Sequence, residues 1–368
     1  MRRFFIILLA STAVWGCVYP FDADLPEGAS PSLVIEGNIC IGEESRITLS
    51  YVEPLKNGGA PKSVPKSEVY VEDHIGSRFS SEYDGKGYIV NTSKARTNRR
   101  FRVVVVCEGK KYVSEYQGPM VAPRITDAQI TADKDNVYVK VSFQAGSAGV
   151  QYAAVRFQEA WQFHVDYLKM YEYDELTGAI QKLTTVDMSH YYCWKTEEHN
   201  DDILVDMTST GGKVKDLIVQ SFPRNDNRNH REYWIKTSIR LLSDDEYRYR
   251  VQLRDNATQG GDLFSPDPGE IPSNITCESD PETRVYGYVN VCRSSSTLDY
   301  VDNKYYITGP VYPLAVPEPE EYADYYARGL NPVADYVSID VSGIGWGYDR
   351  CYDCVAAGGT LETPEIVP

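Results

Sequence analysis

Apolar and polar residues alternate with a period of two along most of this chain, the signature of strands with one face buried. The segments 32–39 and 44–51 read as strands, the second with Ile47 and Leu49 on one face. A loop through 56–61 follows, then a short strand over 68–72, a turn at 84–87 and a strand at 88–90. Over 100–107 the residues Phe101, Val103, Val105 and Cys107 share one side, and the turn 108–111 leads into 112–116. Short strands at this density predict a β-sandwich of immunoglobulin or transthyretin type over 32–120. Gly118, Pro119 and Pro123 mark a boundary.

A second, larger β-rich body is predicted over 124–350, sandwich-like, with long loops. Val137, Val139, Val141 and Phe143 alternate with Tyr138, Lys140 and Ser142. Between 155 and 167, Val155, Phe157, Trp161, Phe163, Val165 and Tyr167 share one parity, and Arg156, Gln158, Gln162, His164 and Asp166 the other. A helix does not produce that separation, so the segment reads as a strand. Further strands are predicted at 233–241, 284–291 and 336–341, with a hairpin turn at 175–178. One segment differs. Ser243 and Glu246 form the sequence of a capping box, and Tyr249, Arg250 and Leu253 follow at helical spacing up to Gly260–Gly261. This predicts the one main α-helix, over 244–258. The loop after it, 260–268, carries Phe264 as a pocket plug or a ligand contact.

Composition narrows the function. Charged residues make up 24% of the chain and hydrophobic ones 42%, as in a globular protein. The formal net charge of −16 excludes a basic stripe of the kind nucleic acids require and a polybasic membrane-binding surface. The 29 tyrosines lean toward strands and binding surfaces.

The start of the chain predicts its compartment. Arg2 and Arg3 precede an apolar run, 4–16, too short to cross a bilayer as a helix. It reads as a signal peptide over 1–16. Gly16–Cys17 at its end resembles a bacterial lipoprotein processing box, although Trp15 stands where small residues are usual. Cys17 is therefore the expected lipidation site, and 17–31, with three prolines and several acids, the acidic tether.

Eight cysteines are present. With Cys17 lipidated, seven remain, so one thiol at least stays unpaired. An exported compartment permits disulfides, and Cys40 with Cys107 is a candidate pair, although spacing alone does not fix connectivity. Cys351 and Cys354 sit in a Cys/Gly-containing tail, 351–368; without a following helix or two further ligands, structural roles are expected for them.

No phosphate loop, nucleophile elbow, zincin helix or paired-helix calcium loop occurs. None of the five histidines has a second histidine or a cysteine two or four residues on, so neither a metal nor a cofactor is expected. The densest polar and aromatic stretch is 190–202, with Trp194, Glu197, Glu198 and His199 as candidate binding residues on a loop. The basic run 224–232 reads as a solvated hairpin tip.

Several phrases occur together in an order that resembles a family of Bacteroidota lipoproteins, domain of unknown function 4249. They include 33–39, the turn 109–112, Cys193–Trp194, Glu246 to Tyr249, 260–264, Val285 to Val289 and Cys354 with Gly358–Gly359–Thr360. Arg293 departs from the pattern, standing where small residues are commoner. The resemblance implies an outer-membrane accessory protein beside a TonB-dependent transporter, and no reaction. Three functions are carried forward. The first is a non-enzymatic surface lipoprotein that binds a nutrient or docks on a transporter. The others are an exported hydrolase acting on glycan or peptide and a structural or adhesive envelope protein.

Overall fold

The computed structural model describes residues 32–52, 64, 66–146, 149–259, 273–308, 311–338 and 341–368. The expected signal peptide, Cys17, the tether, the loop 56–61 and Phe264 lie outside the described residues.

The first body contains β1 (Leu33–Cys40), β2 (Glu44–Tyr51), β3 (Glu68–Asp73), β4 (Arg78–Tyr83), β5 (Tyr88–Asn91), β6 (Phe101–Cys107) and β7 (Lys110–Ser114). The predicted faces are the buried ones. Ile35, Ile47 and Val90 from one half of the sheet share a single core with Val71, Val103 and Val105 from the other. The sheet thus folds over on itself in a sandwich-like arrangement. Each such side chain contributes roughly 1.5–3 kcal/mol by leaving water.

The second body opens with β8 (Arg124–Ala132), β9 (Asn136–Gln144), β10 (Tyr152–His164), β11 (Tyr171–Asp174) and β12 (Ala179–Lys182). It continues through β13 (Tyr192–Asp206), β14 (Lys213–Pro223) and β15 (Glu232–Leu242) to α1 (Asp244–Gln259). After α1 come β16 (Ile275–Cys277), β17 (Val285–Tyr286), β18 (Val289–Cys292) and β19 (Ser294–Asp302). A short α2 (Tyr322–Ala327) and the hairpin β20 (Asn331–Val337) and β21 (Ser342–Gly347) follow. The sheet β13-β10-β15-β19 faces the sheet β14-β9-β8. Val137, Val139, Val141 and Phe143 meet Val155, Trp161, Tyr233, Ile235 and Ile239 between them. The hairpins β11–β12 and β20–β21 enclose a smaller core around the fully buried Trp346.

Four expectations are corrected. The strands do not divide in sequence order: β16 pairs with β7, and β17 and β18 pair parallel to β1, so 275–292 belongs to the first sheet. The segment 284–291 is not one strand but two, broken at Gly287. That glycine has a φ of +98°, and a Cβ on it would lie 2.1 Å from the Ile35 carbonyl oxygen. Of the strand expected at 336–341, Tyr336 and Val337 are strand and end β20; the Ser338 N–H then donates to the Val341 carbonyl at 2.8 Å, between β20 and β21. The stretch 190–202 is not a loop, because β13 pairs along nearly all of β10.

The helix begins where the capping box places it. Ser243 Oγ accepts the Glu246 N–H at 3.2 Å, but the Glu246 carboxylate does not return to the cap. It receives Arg240 at 2.6 Å and Arg250 at 2.8 Å. Arg240 and Arg250 also reach Asp202, at 2.8 and 2.7 Å, and Arg250 donates to Asn38 Oδ1 at 2.9 Å. Tyr249 donates to Glu36 at 2.9 Å. This charged seam ties α1 to β1 on one side and to the second sandwich on the other. Burial pushes the Asp202 carboxyl up, but the guanidinium groups of Arg240, Arg250 and Arg156 outweigh it and hold the group below its ordinary value.

Candidate functional site

A buried polar cluster inside the second sandwich centres on Glu159. Its place follows from strand parity. On β10, Val155, Phe157, Trp161 and Phe163 point into the sandwich, and Glu159 stands among them at the same parity, fully buried. A carboxylate there requires partners, and six hydrogen-bond contacts from four side chains reach it. Tyr233 on β15 donates its hydroxyl to Oε2 at 2.7 Å. Gln220 on β14, across the sandwich, donates to Oε1 and Oε2 at 3.1 and 3.3 Å. Arg228 reaches Oε1 through Nε and Nη2 at 3.2 and 2.9 Å, and His199 Nε2 lies 3.0 Å from the same oxygen.

His199 and Glu197 come from β13. Glu197 is the cross-strand partner of Glu159, and His199 that of Phe157, on whose ring it stacks at 4.1 Å. Arg228 lies in the short turn Asn227–Asn229. It bridges the two glutamates, reaching Glu197 at 3.1 Å, and its guanidinium lies over the Trp161 ring at 4.5 Å. Burial alone would lower the Arg228 pKa, but Glu159 and Asp226 raise it. Burial and the Glu159 charge push the Tyr233 hydroxyl well above its ordinary value.

The run 224–232 is therefore not a solvated tip. Asn229 is buried and donates to the Pro223 and Arg224 carbonyls at 3.3 and 3.1 Å, which turns Arg228 inward. Of the four candidates on 190–202, Glu197 and His199 join the cluster. Trp194 and Glu198 have the opposite parity. Trp194 is buried against the tail, exchanging backbone hydrogen bonds with Thr360 at 2.7 and 2.8 Å, and Glu198 accepts from Gln158 at 3.5 Å on the outward face. The sequence reading passed over Glu159 and Arg228. A glutamate at the apolar parity of an otherwise clean strand was the available signal.

The cluster's chemistry is restricted. Glu159, Glu197 and His199 hold ligand atoms within 4.8 Å of one another. A guanidinium already occupies both carboxylates, however, and it disfavours a cation at the same oxygens. A general acid or base must present a lone pair or a proton to a substrate. Here the Glu159 oxygens are taken up by side-chain donors.

The cysteines are arranged differently from the expected pairing. Cys193, at the start of β13, is disulfide-bonded to Cys354, across 161 residues, and anchors the tail to the second sandwich. Cys40 and Cys107 are not bonded to each other. Cys107 Sγ lies 3.9 Å from the Tyr51 hydroxyl, whereas Cys40 faces Cys292. No helix among the described residues is long and apolar enough to cross a membrane.

The family model for DUF4249, a domain of unknown function, matches residues 18–297. No curated protein matches the chain. Among solved structures, a protein from Bacteroides uniformis described as "a putative carbohydrate binding protein" aligns over 58% of this chain and 92% of its own, at 10% identity. The TM-score of 0.16 gives that likeness no weight for fold or ligand. The chain belongs to the DUF4249 family.

Proposed function

We propose that this DUF4249 protein is a non-enzymatic cell-envelope lipoprotein, an accessory module that binds a nutrient or docks beside a TonB-dependent outer-membrane transporter. In this reading Cys17 carries the lipid and 17–31 is the tether. The body, whose first part we read as an immunoglobulin/transthyretin-type sandwich, is displayed from the outer membrane toward the cell surface. The observation that carries the reading is the saturation of Glu159. The buried Glu159 cluster, which carries residue types used in catalysis, is closed by Tyr233, Gln220, Arg228 and His199. Contact chemistry remains on the outside. Trp234 packs on Tyr300 at 4.3 Å on the outward face of β15 and β19, and Tyr300 and Leu298 are exposed.

A lipid tether raises the local concentration of such a body at the membrane, so modest intrinsic affinity suffices. The acidic surface, with a formal net charge of −16 for the chain, favours a basic or neutral patch on the partner and makes association salt-dependent. The test is turnover of glycan and peptide libraries by the purified chain, with Glu159→Gln as control. No turnover is expected from either protein. Turnover that the substitution abolishes would replace this reading with the exported hydrolase.

A further inference from the structure

Two cysteines 252 residues apart meet in the first sheet. Cys40 is the last residue of β1 and Cys292 the last of β18, and in this parallel pair they are direct Cα partners. Neighbouring strands lie about 4.8 Å apart, inside the roughly 4.4–6.8 Å Cα separation that a disulfide spans. The two Sγ atoms are 3.2 Å apart, closer than the van der Waals contact of two sulfur atoms.

The two thiols are unequal. Cys292 is fully buried and Cys40 only half-buried. The hydrogen bond from Cys292 holds the Cys40 thiol below its ordinary value; burial opposes it, and the charges of Arg240 and Arg156 assist. That same bond, together with burial, pushes the Cys292 thiol well up. Of the two, Cys40 is thus the more exposed and the more readily ionised, and Cys292 is sealed and adjacent.

The geometry points to Cys40 and Cys292 as a thiol-oxidation site that closes into a disulfide on meeting an oxidised dithiol protein or oxidised glutathione. The Cys40 thiolate attacks one sulfur of the oxidant's disulfide. A mixed disulfide forms and the oxidant's other sulfur leaves as a thiol. Cys292 then gives up its proton and attacks Cys40 Sγ, and the oxidant's second sulfur leaves as a thiol. Two protein thiols become one disulfide, and the oxidant's disulfide becomes two thiols. The Cys193–Cys354 bond already requires an oxidising environment of the same chain. The product pins β1, the strand that the N-terminal segment enters, to β18.

The test uses the full chain, exported and purified without reductant, alkylated in denaturant, digested and analysed by mass spectrometry before and after incubation with oxidised glutathione. A Cys40–Cys292 peptide pair is expected beside the Cys193–Cys354 pair, both lost on reduction. Cys40 and Cys292 still alkylated after oxidation, or Cys40 joined to another cysteine, would overturn the proposal. The order of attack is read from variants. Cys292→Ser is expected to trap a glutathione adduct on Cys40, and Cys40→Ser to leave Cys292 unmodified. An adduct on Cys292 in the second variant, or none on Cys40 in the first, would refute the assigned roles.

Discussion

Replacing Glu159 tests whether the buried cluster is a structural lock. In Glu159→Ala the Tyr233 hydroxyl and the Gln220 amide lose their acceptor inside the sandwich, and a cavity opens beside Trp161. Arg228 is not orphaned, because Glu197 and Asp226 stay within 3.1 and 3.3 Å. Removing one partner of a buried ion pair typically costs about 3–5 kcal/mol. The arginine's remaining partners place this case at the lower end, about 3–4 kcal/mol. At 2–4 °C per kcal/mol for a body of this size, the melting temperature falls by roughly 6–16 °C. Tyr233→Phe alone removes one charge-assisted hydrogen bond, for about 1.5 kcal/mol. Since each change removes the same contact, the double variant is expected to lose about 1 kcal/mol less than the two singles together. The assay is denaturant unfolding at neutral pH with the Cys193–Cys354 disulfide intact. A Glu159→Ala loss below about 1 kcal/mol, or strict additivity with Tyr233→Phe, would refute the reasoning.

Other consequences follow from single positions. Gly287→Ala combines a strained positive φ with a 2.1 Å overlap on the Ile35 carbonyl, so the denaturation midpoint should fall by an amount equivalent to about 2–4 kcal/mol. Asp73 is buried, which raises its pKa, but Arg99 and the N–H groups of Ser77 and Ile75 more than reverse this and bring it to about 2. Its stabilisation is complete above about pH 4 and is lost as the pH falls toward 2; the stability gap between wild type and Asp73→Asn should narrow over that window and stay constant above it. The Asp353 carboxylate, 3.0 Å away, raises the His190 pKa. That contribution is complete below about pH 6.5 and lost as the pH rises through the folded value. An NMR titration should return His190 toward its ordinary value in Asp353→Asn, and an unchanged midpoint would count against the pair.

Much of the architecture was legible because it rests on local rules. Period-two patterning locates β9, β10 and β15, and Ser243 with Glu246 locates the start of α1. What escaped was non-local or depended on one side chain. Nothing near 275–292 in sequence says that these strands pair with β7 and β1. The same limit applies to Cys193 and Cys354, joined across 161 residues. On 190–202, composition identified a polar segment, but only the register against β10 separates Glu197 and His199 from Trp194 and Glu198. Arg228 was hidden in a hydrophilic run, where the buried Asn229 beside it turns it inward.

The claim that this DUF4249 protein works by docking at the outer membrane is tested most directly by co-purification. The full chain, with Cys17 intact, is recovered from detergent-solubilised outer membranes beside an unrelated lipoprotein of similar charge, at low and at high salt. The account predicts enrichment of a TonB-dependent barrel protein over that control, weaker at high salt and lost when Cys17→Ser releases the chain from the membrane. No barrel protein enriched over the control would contradict it.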